Sequence, residues 1–132
     1  LTLAGYPPDR PLIPHGLAVV LCAPAAVLHL AATSPVRHLC CAEALGFQTK
    51  DLAEEEVGRF LSVELRSLLA QTGLPNELSQ AGYSLSDVPA LCSGAALQAR
   101  LLGNAPRPVG ADDLAQLFRD SFDCPARKGT EP

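Results

Sequence analysis

With 132 residues, 48% of them apolar and 18% charged, the chain can build one domain with a real core and is too apolar for a disordered body. A net charge of −4 provides no basic face to neutralise phosphates, which argues against a nucleic-acid partner. Aromatics are few, at 5%, and Ala and Leu abound, which favours helices over a β-sandwich.

The first 14 residues carry Pro7, Pro8, Pro11 and Pro14 and read as an extended loop. A helix is predicted from His15 to about Thr33, bending near Pro24, where a backbone donor is missing. Ser34-Pro35 supplies a cap and a proline at the first helical position, starting a second helix that Gly46 ends. The most regular helix is expected from about Asp51 to Gln71. Val57, Phe60, Leu61, Leu65, Leu68 and Leu69 recur there at i, i+3, i+4 spacing. Glu54, Glu55 and Glu56 suit its positive end, and Gly73 and Pro75 stop it. Ser86-Asp87 opens a further helix with Val88, Leu91, Ala95, Ala99 and Leu102 on one face, closed by Gly103. After a proline-punctuated loop from Asn104 to Val109, a last helix covers about Ala111 to Phe122, with Leu114, Leu117, Phe118 and Phe122 inward. No stretch alternates long enough for a strand, so the fold class is all-α, a helical bundle. Its divisions are a loop over 1–14, a helical domain over 15–122 and a tail over 123–132.

The run Leu17 to Ala32 falls short of the roughly 20 apolar residues of a membrane span and contains Pro24 and His29, so a buried core helix is expected and no membrane partner. Cys22, Cys40, Cys41, Cys92 and Cys124 are an odd set without regular spacing, and the adjacent Cys40-Cys41 pair suits no disulfide framework. Reduced thiols fit the cytosol or the mitochondrial matrix. A chain that begins at Leu1 and holds no Met is expected to be a processed product or a piece of a longer protein. It contains no G-x-G-x-x-G, P-loop or G-x-S-x-G pattern, so nothing in it cradles a nucleotide alone.

Among chemistry-bearing residues, His15 stands first. Pro14-His15-Gly16 before the apolar run Leu17 to Leu21 puts an imidazole at the first turn of a helix whose packing can aim it, as a metal ligand requires. The plain alternative is a helix cap or a hydrogen bond to a nearby loop. His29 and Cys22 are seven residues apart and can share a face, yet a partly buried core histidine is the stronger reading. His38 and Cys41, at i, i+3, could converge on a soft metal, but the usual four ligands and C-x₂-C spacing of structural zinc are missing. Cys40 and Cys41 are expected to fill helix–helix contacts as small apolar groups. Asp112-Asp113 suits a helix start. Arg107, between prolines, could meet an anion or simply fix its loop, and Asn104 suits a turn.

Several segments carry a resemblance in the same order along the chain. Gly5-Tyr6 with Pro11 to Leu21 and Pro24-Ala25 is similar to the metal-binding segment of iron-containing alcohol dehydrogenases, in the hydroxyacid–oxoacid transhydrogenase branch. Arg37-His38-Leu39 with Ala42 to Gly46 resembles that branch's next helix, and Ala81 to Ser84 with Asp87 to Leu91 its turn into a later one. Asn104, Pro106-Arg107-Pro108 and Asp112 to Phe118 look like the last loop and last helix.

The resemblance implies that the chain is the C-terminal part of the metal-binding helical domain of a dehydroquinate synthase-like, iron alcohol dehydrogenase fold, the nucleotide-binding domain lying upstream. Members hold a divalent metal, usually iron, with one Asp and three His, of which His15 would be the last. NAD would be bound mainly by the upstream domain, and the isolated chain, with one ligand, would be inactive. Metal-assisted hydride transfer would run from a hydroxy acid of the 4-hydroxybutyrate kind to an oxo acid of the 2-oxoglutarate kind, in the mitochondrial matrix or, failing that, the cytoplasm. The resemblance leaves a homo-oligomer open. A non-catalytic helical interaction module descended from such an enzyme is the competing class. An upstream glycine-rich segment with an Asp-x₃-His pair would separate the two.

Overall fold

A computed structural model describes residues 13–122. The expected tail and all but Ile13 and Pro14 of the expected N-terminal loop, with Gly5-Tyr6 and Cys124, lie outside the described residues. Six α-helices and no strand occur among the described residues: α1 (His15–Leu30), α2 (Pro35–Ala44), α3 (Val57–Gln71), α4 (Val88–Ala96), α5 (Ala99–Leu102) and α6 (Ala111–Asp120). The all-α fold class is therefore what the chain adopts.

Their packing follows the apolar stripes. α1 lies against α3 on one side and α6 on another, α2 covers α3, and α4 covers α6. The core between them is small-to-medium aliphatic: Leu21, Ala25, Ala31, Ala42, Val57, Leu61, Val88 and Leu114 are buried. α1 and α3 approach unusually closely. A Cβ on Gly58 would stand 2.9 Å from Ala31 Cβ and 3.3 Å from the Leu28 carbonyl oxygen, so glycine there is a packing requirement.

Boundaries differ from the periodic reading in places that have local causes. α1 ends at Leu30 and continues as one 3₁₀ turn, Ala31–Thr33. α3 begins at Val57, not Asp51. Asp51 has φ of 64° in a turn closed by Leu52 N–H to Thr49 O at 3.0 Å, and the three glutamates form a 3₁₀ turn before the helix. Leu68 is 39% exposed, whereas Gly58, Ser62 and Arg66 are buried, because α1 and α2 both pack on α3 and widen its covered arc. The helix expected from Ser86 to Gly103 begins as α4 only at Val88, after a 3₁₀ turn, Leu85–Asp87, that Ser84 caps, and it breaks in two. Ser84 N–H donates to Asp87 Oδ2 at 2.8 Å, and Leu97, 83% exposed, interrupts α4 and α5. α6 stops at Asp120, leaving Phe122 in the following turn.

Two further corrections concern burial. Cys40 and Cys41 are exposed and fill no helix–helix contact, since α2 buries only Ala42. The run expected as a buried core helix is only partly covered: 22% of the apolar window in His15–Thr33 is buried, and that span is long and apolar enough to cross a membrane by length and composition alone. Its contacts with α3 and α6 are those of a bundle helix.

Candidate functional site

His15 is the first residue of α1, and Pro14 stands before it at φ −52°, ψ 138°. The Pro14 carbonyl accepts the Ala18 N–H at 3.0 Å, so the proline closes the first turn while lacking a donor to waste there. The imidazole is exposed. Leu21, Pro24 and Ala25, buried about two to three turns on, lock the helix that carries it. A single ring nitrogen on a fixed helix end suits a divalent first-row metal, which takes imidazole readily. Among the described residues no three His, Cys, Asp or Glu side chains come together to hold a metal ion, so His15 has no co-ligands there.

The other candidates are engaged elsewhere. His29 donates Nε2–H to Asp120 Oδ2 at 2.9 Å and is partly buried, tying α1 to the end of α6. Cys22 does share that face: its thiol meets Ser121, the residue after Asp120, and burial pushes the thiol's pKa up against the opposing pull of the Ser121 hydrogen bond and Arg66. His38 donates Nδ1–H to the Ser34 carbonyl at 2.9 Å, which fastens the ring to the start of α2. Asp113 accepts the Gly110 N–H at 2.8 Å and Arg107 Nη2 at 3.0 Å, and these two hold its carboxyl below the ordinary carboxylate range. Arg107 thus fixes its loop through a carboxylate as well as the Pro108 carbonyl. Asn104 donates its N–H to Leu101 O at 3.1 Å in a turn.

Sequence reasoning missed Arg66. It is 4% exposed and has no carboxylate partner among the described residues, its guanidinium donating to the Asn76 carbonyl at 2.7 Å and to the Asp120 carbonyl. The second carbonyl is at the negative end of α6, which offsets the buried charge. Ser62 Oγ, Arg66 Nε and Asn76 Oδ1 are buried without hydrogen-bond partners among the described residues. The only hint was an arginine at i+4 from Ser62 on an otherwise apolar face.

A cleft of about 380 Å³ opens between the end of α1, α5 and the loop before α6, lined by His29, Leu30, Leu101, Arg107 and Leu114 among others. Fourteen residues of helix separate His29 from His15, roughly 21 Å at 1.5 Å per residue, so this cleft is remote from the candidate ligand.

The all-α fold is consistent with the C-terminal domain of one enzyme family, and comparison with known proteins agrees. Residues 12–122 match the family model "Fe-containing alcohol dehydrogenase family, C-terminal", and the chain belongs to that family. It is 42% identical over 117 residues to the hydroxyacid-oxoacid transhydrogenase, mitochondrial, of Pongo abelii, and 41% identical to that of Homo sapiens. Each match covers 89% of this chain and 25% of the relative. The probable hydroxyacid-oxoacid transhydrogenase of Dictyostelium discoideum is 36% identical, over 89% of the chain and 21% of its own length. The chain therefore spans about a quarter of the length of the curated relatives it matches.

Proposed function

We propose that this chain is the C-terminal part of a metal-dependent, NAD-linked hydroxyacid–oxoacid transhydrogenase of the mitochondrial matrix. The intact enzyme would move hydride from a hydroxy acid of the 4-hydroxybutyrate kind to an oxo acid of the 2-oxoglutarate kind. The observation that carries the reading is His15, exposed at the first turn of α1 inside a segment that matches the family over residues 12–122. The relatives' names supply the substrate classes and the compartment.

His15 would hold the metal together with ligands supplied from outside this chain. When bound, the metal, iron in the family's name, would act as a Lewis acid on the substrate oxygen while the nicotinamide carries the hydride. The chain's own contribution is aim. Packing of Leu21, Pro24 and Ala25 fixes the axis of α1, and the ring at its start inherits that direction. His29 and His38 are positioned as structural hydrogen-bond donors, not as further ligands.

In the longer protein, His15→Ala is expected to lower metal content and turnover together while the helical circular dichroism signal holds. His29→Ala and His38→Ala should keep the metal. Full metal and full turnover in His15→Ala would refute the assignment. Alone, the chain should bind no tight stoichiometric Fe²⁺ or Zn²⁺ in equilibrium dialysis, because catalytic sites need about three protein ligands. One metal per chain, lost on changing His38 or Cys41, would favour a separate site instead.

A further inference from the structure

The guanidinium of Arg66 is held in the interior by main-chain carbonyls. Nη1 donates to the Asn76 carbonyl at 2.7 Å and Nη2 to the Asp120 carbonyl, at the last residue of α6. Its Nε–H has no partner among the described residues although it is buried, and the same holds for Ser62 Oγ and Asn76 Oδ1. Buried polar atoms are satisfied in folded proteins, so three orphans call for a common explanation.

The three belong to one neighbourhood. Ser62 lies one turn before Arg66 on α3, and a long helical side chain leans back over the preceding turn, so the Arg66 stem runs past Ser62. Asn76 is the residue whose carbonyl the same guanidinium holds. Their chemistry is complementary: Nε–H only donates, Oδ1 only accepts and the hydroxyl does either. Ser62 and Arg66 are 1% and 4% exposed, which closes the place to a side chain from another polypeptide. A small ligand is what fits.

We infer that Ser62, Arg66 and Asn76 form the binding site of one internal water molecule, which accepts from Arg66 Nε–H and donates to Ser62 Oγ and Asn76 Oδ1. Three hydrogen bonds are what an internal water typically makes. A halide ion would also accept from Nε–H and from the Ser62 hydroxyl, but it would face the lone pairs of Asn76 Oδ1, so the acceptor selects water. The water completes the partners of the guanidinium, which then ties α3 to the segment after it and to the end of α6 through one residue. Size alone also suits Ser62, one turn after Gly58 at the close crossing of α1 and α3. On that reading alanine, smaller still, would serve equally well.

A crystal structure of the chain, or of the longer protein, soaked in bromide tests the ligand directly. One ordered solvent peak without bromide anomalous signal is expected, at about 2.7–3.2 Å from Arg66 Nε and from Ser62 Oγ. A direct bond from Nε–H to Asn76 Oδ1 with no solvent between them, or an anomalous peak at the site, would overturn the inference. Thermal unfolding of Ser62→Ala, Asn76→Ala and the double variant tests the bridge. Each single change should lower Tm by about 4 °C or more; Asn76→Ala keeps the main-chain carbonyl that Arg66 holds. Because both side chains serve one water, the double variant should lose clearly less than the sum of the two. Additive losses, or a Ser62→Ala protein as stable as the parent, would overturn the site. If Ser62→Ala does not fold, exchange of sodium chloride for sodium gluconate at equal ionic strength still separates the ligands. Tm of the parent should stay within about 1 °C, and a larger fall that Asn76→Ala does not abolish would assign a chloride ion and refute the water.

Discussion

Gly58→Ala adds one methyl group at the tightest helix crossing in the molecule. The new Cβ would stand 2.9 Å from Ala31 Cβ, 3.3 Å from Leu28 O and 3.6 Å from Leu28 Cα. None of these atoms is the end of a flexible side chain, so α1 and α3 must separate. Overpacking of this kind costs about 1–3 kcal/mol. Alanine returns about 0.5–1 kcal/mol of helix propensity, less at the second residue of α3 than in a helix interior. The net expectation is a destabilisation of about 1–2 kcal/mol, or roughly 4–8 °C in Tm for a domain of this size. Urea denaturation followed by circular dichroism measures it. Ala31→Gly removes the atom in closest conflict, so the double variant should recover part of the loss, with a coupling of about 0.5–1 kcal/mol in the cycle. A Gly58→Ala protein that is more stable than the parent, or a cycle that closes additively, would refute the close crossing of α1 and α3.

Leu61→Ala should cost about 3–4 kcal/mol, since the side chain is fully enclosed. Phe60→Ala should cost less, about 1.5–3 kcal/mol, because Phe60 is half-buried and its ring meets Phe47 edge-on at 6.3 Å; equal losses on urea titration would contradict this ranking. Cys40 and Cys41 should react with iodoacetamide at pH 8 well before Cys22, whose thiol is held neutral by burial; mass spectrometry of partly labelled protein reads the order. Asp113 has its folded pKa depressed by Gly110 and Arg107, so its stabilisation is present above its ordinary value of 3.8 and lost as pH falls below that through the folded value. Asp113→Asn should therefore be less stable than the parent at pH 6, with the gap closing as pH drops below 3.8; a gap independent of pH would show that the charge plays no part.

Local features of the chain were legible because their physics is local. The apolar period over Val57 to Leu69 marks α3, and Gly46 and Gly73 end α2 and α3 with φ of 84° and 72°, a conformation that glycine adopts without strain. Pro14 before His15 sets the start of α1 and so the position of the candidate ligand. Helix starts set by competing caps were less legible: Ser84 and Ser86 both precede Asp87, and only the three-residue spacing from Ser84 closes the capping box. What the sequence by itself determined is thus the helical class, most helix ends and the place of His15. Tertiary structure alone decided which residues meet across long separations: His29 with Asp120 over 91 positions and Arg66 with the Asp120 carbonyl over 54. It also decided that Cys40 and Cys41 face solvent and that α1 is only partly covered by α3 and α6. The reason is that periodicity encodes which residues share a face, while the partner of that face depends on how the helices cross, and an arginine among leucines has no meaning until a helix terminus arrives to accept its hydrogen bonds.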